Sequence, residues 1–250
     1  MKNTILHLDM SQYDLHGIKQ KISQNFDKHI IYHIFNLDKC DYVVFYEELA
    51  RSLGRIRTCH PVNDKQTNFS NSRDIKYTPG VNHYFASNNR QPLHNDYAYY
   101  AKEEAPNWLM IYCMEPSAFG GKTNILSTYT LKEILQQYNP DLLRKLNVEV
   151  TWKYNGKDGD KIHKKPILKD ENINWNYWQI KQEFNNEDIM SIRQQFFHFL
   201  ENKISAGNIY DFSKNWKIGD CIIFNDTCNL HSRDAFLGTR WLKDHAFFGE

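Results

Sequence analysis

Cysteine is sparse and unpatterned in this 250-residue chain. Cys40, Cys59, Cys113, Cys221 and Cys228 include no CxxC spacing and are odd in number. That argues against a disulfide framework and for reduced thiols, hence a cytoplasmic protein. An excess of charge of one sign is also missing. Lys and Arg number 31 against 30 Asp and Glu, for a formal net charge of +1. This balance gives no electrostatic reason to expect nucleic acid or an anionic membrane as a partner. Long apolar runs are absent, and Met1–Met10 carries Lys2, His7 and Asp9. Neither a membrane span nor a signal peptide is therefore expected. Glycine and proline are thinly spread, with no repeat or low-complexity tract, so nothing marks an interdomain linker. The expectation is one domain over residues 1–250, with residues 155–185 as a loop or lid excursion.

What is present is an ordinary globular composition, 41% hydrophobic and 24% charged. Helical spacing of apolar residues appears over Ile18–Phe26, Phe45–Leu53, Ser127–Tyr138 and Glu187–Lys203. Gly54 reads as the C-cap of the second and Asn139-Pro140 as the break after the third. Short apolar runs read as strands over Tyr42–Phe45, Trp108–Met114, Leu146–Tyr154, Ile209–Phe212, Cys221–Phe224 and Arg240–Phe248. Asn63–Asn89 is polar and reads as loop with some irregular strand, and the charged stretch Gly156–Asp170 reads as a mobile excursion. Many short strands with helices between them predict a mainly β protein with added helices (α+β), built on a jelly-roll core.

The most informative stretch is Leu93-His94-Asn95-Asp96. Residues i and i+2 of a strand face the same side, so an imidazole and a carboxylate can meet one metal ion. Such a pair alone also fits a surface His beside an Asp. A second feature lies downstream: Gly219-Asp220 feeds the apolar strand Cys221–Phe224, and His231 follows just past it. Two His and one carboxylate on one face of an octahedron leave sites open for a bidentate oxo-acid and dioxygen, which suits an oxygenase. Arg240 follows nine positions after His231; a lone Arg is by default a surface residue, but such an Arg can form a bidentate salt bridge with the distal carboxylate of 2-oxoglutarate.

These residues fall in an ordered series. Leu49-Ala50-Arg51-Ser52-Leu53-Gly54, His60-Pro61, Leu93-His94-Asn95-Asp96, Gly120-Gly121-Lys122-Thr123, Gly219-Asp220 and His231-Ser232-Arg233 follow one another from about Phe45 to the C-terminus. In this the sequence resembles the taurine dioxygenase and clavaminate synthase-like branch of iron(II)- and 2-oxoglutarate-dependent oxygenases. The resemblance implies a double-stranded β-helix core, with His94, Asp96 and His231 as iron ligands. It further implies that Thr123 donates its hydroxyl to the distal carboxylate of 2-oxoglutarate and that Arg240 is that carboxylate's partner, with Arg233 the fallback. The implied reaction is a dioxygenase oxidation, hydroxylation foremost, of a C–H bond, with O2 as co-substrate and succinate and CO2 as co-products.

The chain departs from the resemblance at Asp244, where taurine dioxygenase carries an Arg that binds the substrate sulfonate. A carboxylate there would repel a sulfonate and attract an ammonium or guanidinium, which suggests an amine or amino-acid substrate. A carrier-bound form of such a substrate stays open. His60, Arg90, Asn95, Tyr97 and Asp244 are the candidate substrate contacts. Tyr97, Tyr99 and Tyr100 could wall the pocket, and Trp175–Trp178 falls where relatives carry a lid. The alternatives are a cupin-type enzyme without 2-oxoglutarate turnover and a non-catalytic jelly-roll metal-binding protein.

Overall fold

The computed structural model describes residues 3–37, 41–58, 71–79, 86–156 and 159–249. The chain opens with β1 (Thr4–Asp9), α1 (Leu15–Gln24), β2 (Ile30–Phe35) and α2 (Tyr42–Leu53), followed by β3 (Gly54–Ile56), β4 (Arg73–Lys76) and β5 (Gln91–His94). Its middle contains β6 (Trp108–Glu115), β7 (Phe119–Gly120), β8 (Thr123–Ser127), α3 (Thr128–Tyr138) and α4 (Pro140–Lys145). These lead into β9 (Glu149–Gly156), β10 (Gly159–Pro166), β11 (Leu168–Lys169) and β12 (Asn172–Ile173). It ends with α5 (Glu187–Phe199), β13 (Phe212–Lys214), β14 (Cys221–Asn225), β15 (Asn229–Arg233), β16 (Phe236–Leu237) and β17 (Trp241–Gly249).

Two sheets form the core. The larger has the order β1-β2-β14-β6-β17-β3, with β4 also on β17; the smaller has the order β13-β8-β15-β5. Apart from the parallel pair β1–β2, their ladders are antiparallel. The protein is thus α+β, with the two facing sheets of a double-stranded β-helix and helices packed outside them.

The period-2 alternation of side chains explains why β6 and β14 are apolar throughout. Trp108, Met110 and Tyr112 of β6, with Cys221 and Ile223 of β14, point to the layer of α1 and α2. Leu109, Ile111 and Cys113, with Ile222 and Phe224, point between the sheets, where they meet Ile125 of β8 and Leu242 of β17. A third cluster, around Trp152, Trp175 and Phe196, seats α3, α4 and α5 against the other side of the smaller sheet. No described helix is long and apolar enough to cross a membrane.

Several expected elements differ. Tyr42–Phe45 is the first turn of α2, because the Asp41 carboxylate accepts from the amides of Val43 and Val44 and starts a helix there. Gly54 is extended, with φ 172°, and is no left-handed cap. Its glycine is required by packing: a Cβ there would lie 2.2 Å from the Phe248 carbonyl oxygen across the β3–β17 ladder. The charged stretch after Gly156 is strand β10, paired along the length of β9. Half-exposed ladders carry charge without losing their hydrogen bonds, and the Trp152 indole donates across this one to the Lys165 carbonyl at 3.0 Å. Ile209–Asp211 precede β13 rather than forming it.

Candidate metal centre

His94 closes β5 and His231 sits in the middle of β15, directly opposite it in the ladder. This pairing brings the two rings to 4.2 Å between centroids. Asp96 lies in the turn just past β5 and swings back beneath both rings. Its Oδ1 is 3.2 Å from His94 Nε2 and 3.7 Å from His231 Nε2. One donor atom from each of the three residues falls within 4.8 Å of the other two.

The far side of each ring faces an oxygen. His94 Nδ1 is 2.9 Å from the Pro92 carbonyl, and His231 Nδ1 is 3.3 Å from Asp226 Oδ1. The Pro92 carbonyl bonds His94 Nδ1, whereas Asp226 Oδ1 faces His231 Nδ1 outside hydrogen-bond geometry; an oxygen on each Nδ1 side favours the tautomer that leaves Nε2 as an electron-pair donor, the arrangement a metal requires. Two imidazole nitrogens and one carboxylate oxygen on one side of a centre are the donor set of non-haem iron(II). Gln91 reaches the same face, its amide nitrogen 2.9 Å from His94 Nε2.

Asp226 was not singled out in the sequence. It accepts the Asp96 backbone amide through Oδ2 at 3.1 Å while facing His231 through Oδ1, so it positions two members of the triad. Burial opposes a charge on Asp96, but Arg73 and the two imidazoles outweigh it and hold the carboxyl well below its usual range. Burial likewise works against protonated His231, yet Asp226 and Asp96 raise it on balance.

The triad opens into a cavity of about 400 Å³ between the sheets. At one end lie Thr123, Arg233 and Arg240. Thr123 starts β8 and pairs with Arg233 of β15. The Trp216 indole donates to Thr123 Oγ1 at 3.0 Å, which leaves the threonine O–H free to donate into the cavity. Gly120 and Gly121 have φ of 74° and 71°, a tight left-handed pair. A Cβ on Gly121 would meet the Arg240 side chain at 3.2 Å, so the glycine also makes room for that arginine.

Arg240 is 3% exposed and has no ion-pair partner among the described residues; its Nε makes no hydrogen bond. Burial pulls it down to about 9, with Arg233 adding to the effect. Arg233 is pulled by burial to about 10 and donates to the Asn89 carbonyl at 2.6 Å. A buried guanidinium beside a second one, without a carboxylate, is the complement of a dicarboxylate ligand.

The candidate substrate residues divide. Tyr99 lines the cavity, as do Asn176, Trp178 and Gln179 of the expected lid region, whereas Trp175 is a buried core residue. Asp244 does not reach the cavity. It is 2% exposed on β17, opposite Arg73 in the ladder, and Arg73 takes its carboxylate. Asn95 is structural: its amide donates to the Asn229 carbonyl at 2.7 Å and to that of Asp226, and its oxygen accepts from Trp175 N at 2.9 Å. Arg90 ion-pairs with Glu201. Tyr97 packs against the Arg57 guanidinium rather than lining the cavity. His60 lies outside the described residues.

Arg73 went unnoticed in the sequence because it sits in a polar, strand-poor stretch. Its partners Asp96 and Asp244 are 23 and 171 residues away.

The family model of the taurine catabolism dioxygenase TauD, TfdA family matches residues 43–244. The chain belongs to that family, a class of oxidoreductases. No curated protein sequence matches it. Similar solved structures include an asparagine oxygenase in complex with Fe(II), 2S,3S-3-hydroxyasparagine and succinate. That one is 13% identical, covers 94% of this chain and 78% of its own, and has a TM-score of 0.65. PvcB from Pseudomonas aeruginosa is 15% identical over 99% of this chain and 86% of its own, with a TM-score of 0.61. The non-haem iron oxygenase OrfP in complex with Fe and α-ketoglutaric acid is 10% identical over 94% and 80%, with a TM-score of 0.63.

Proposed function

We propose that this protein is an iron(II)- and 2-oxoglutarate-dependent dioxygenase. It hydroxylates a C–H bond of a small amino-acid substrate and releases succinate and CO2. The observation that carries this reading is the junction of two sites in one cavity: a His-Asp-His donor set with an oxygen facing each outer ring nitrogen, and a buried Arg240 that meets no carboxylate among the described residues.

His94, Asp96 and His231 would hold the metal. Arg240 and the Thr123 hydroxyl would receive the distal carboxylate of 2-oxoglutarate, with Arg233 adding positive charge. The bound iron and 2-oxoglutarate would supply the activation of dioxygen. This chain's own residues orient and shield: Asp226 and the Pro92 carbonyl fix the rings, Trp216 fixes Thr123, and Ile75, Ile111 and Leu242 keep water from the cavity wall. Two similar structures are of oxygenases bound to hydroxylated amino acids, hydroxyasparagine in one and hydroxyarginine in the other, which supports an amino-acid substrate. The free thiols Cys113, Cys221 and Cys228 support a cytoplasmic site of action.

The test is an anaerobic titration of the protein with iron(II) and 2-oxoglutarate, followed by visible absorption. A charge-transfer band is expected. It should weaken in Arg240→Ala and vanish in His231→Ala. Iron bound with no such band would rule out the 2-oxoglutarate assignment.

A further inference from the structure

The substrate half of the cavity has an unexpected charge pattern. Three arginines line the cavity, Arg73, Arg233 and Arg240, and Asp96 is the one carboxylate among the described lining residues. Among the described lining residues no further acid is left to receive a substrate ammonium or guanidinium. Arg73 enters from β4 on the larger sheet, whereas the 2-oxoglutarate residues Thr123 and Arg233 come from the smaller one.

Its guanidinium is a bridge. Nη2 bonds both Asp96 Oδ2 and Asp244 Oδ2, and Nε donates to Asp244 Oδ2 at 3.0 Å. Asp96 thereby divides its labour, with Oδ1 facing the two imidazoles and Oδ2 facing Arg73. The Arg73 side chain remains 26% exposed on the cavity side, and Nη1 bonds to no described residue. A guanidinium offers five N–H donors; three are used here, and the two protons of Nη1 remain to donate to a carboxylate oxygen.

We propose that Arg73 is the residue that holds the free carboxylate of the amino-acid substrate, with Asp244 as its buried counter-charge. This rests on the proposed function and narrows it: a carrier-bound aminoacyl group, which lacks that carboxylate, is not the substrate. Because Arg73 is bonded to a metal ligand, the carboxylate it holds lies at a set distance from the metal and determines which carbon is presented.

The experiment uses anaerobic protein loaded with iron(II) and 2-oxoglutarate. Each of the twenty proteinogenic amino acids is titrated, and each in parallel as its carboxamide, with perturbation of the charge-transfer band as the binding readout. At least one free acid is expected to shift the band, its carboxamide to bind tenfold or more weakly (about 1.4 kcal/mol or more), and Arg73→Gln, loaded with enough iron(II) to offset the support that Asp96 loses, to bring acid and carboxamide level. Arg73→Lys should retain part of the preference, since it keeps a charge without the fork. Equal binding of acid and carboxamide, an undiminished preference in Arg73→Gln, or no response to any of the twenty acids overturns the proposal. The comparison of acid and carboxamide on the unaltered protein does not depend on the variants folding. Absence of the band before any amino acid is added is a failure of the proposed function instead.

Discussion

Asp226 faces His231 Nδ1 at 3.3 Å, on the side of the ring away from Asp96, and the same carboxylate accepts the Asp96 backbone amide. Such supports tune metal affinity without touching the metal. Asp226→Asn keeps the shape and removes the charge. It should weaken Mn(II) binding about 10- to 100-fold in equilibrium dialysis; unchanged affinity would show that the ring needs no orienter. Trp216 acts in a similar way on Thr123. Trp216→Phe removes the donor that orients the hydroxyl, and a hydrogen bond worth about 1 kcal/mol corresponds to roughly a fivefold rise in the 2-oxoglutarate KM. A rise in the substrate KM alone would refute that role. The triad and its supports differ in how readable they were. The triad stands in short motifs whose spacing a strand turns into proximity. Asp226 and Trp216 act across the sheets, and neither spacing nor residue type marks them. Asp244 was misread for the same reason: the sequence displays its charge, but the ladder that gives it Arg73 depends on a pairing 171 residues apart.

At the scale of elements, apolar runs carried most of the information, and they failed where the run was short. Tyr42–Phe45 fits a buried strand as well as the first turn of a helix, and only the Asp41 cap decides between them. Asp41→Ala should therefore destabilise the protein by about 1 kcal/mol. Gly54, by contrast, was identified correctly as the end of that helix but for the wrong physical reason. Its φ suits any residue; what excludes a side chain is the Phe248 carbonyl across the ladder. Gly54→Ala is expected to cost more than the lost cap, about 1–3 kcal/mol, since the clash is with backbone that must shift. Parallel denaturant unfolding of the two variants checks the order. If Gly54→Ala proves the milder, the close approach of β3 and β17 is not the constraint. Strand β10, the partner of the expected strand β9, was hidden for a related reason. Its exposed faces carry lysines and Asp160, and charge on a strand reads as loop when the alternation is shallow.

At the scale of the molecule, the cavity draws its walls from both sheets, and this ties ligand binding to the stability of the whole fold. His94, His231, Thr123 and Arg233 belong to the smaller sheet; Arg73, Ile111 and Leu242 belong to the larger, with Arg240 at the entry to β17. A ligand that spans them stabilises only the state in which the sheets are apposed. Binding to the folded state at about 100 times the dissociation constant adds about 2.7 kcal/mol. For a chain of this size that corresponds to a Tm increase of about 5–10 °C. The order of addition is what distinguishes the proposed arrangement. Mn(II) alone should raise Tm through the triad, and 2-oxoglutarate should add a second increment only when the metal is present, because its chelating end has nothing else to bind. Arg240→Ala should abolish the second increment and spare the first, while His231→Ala should abolish both. Removal of the metal with a chelator should return the protein to the unliganded Tm. An increment from 2-oxoglutarate that survives in Arg240→Ala would mean that Arg233, the other arginine at that end, is the carboxylate's partner.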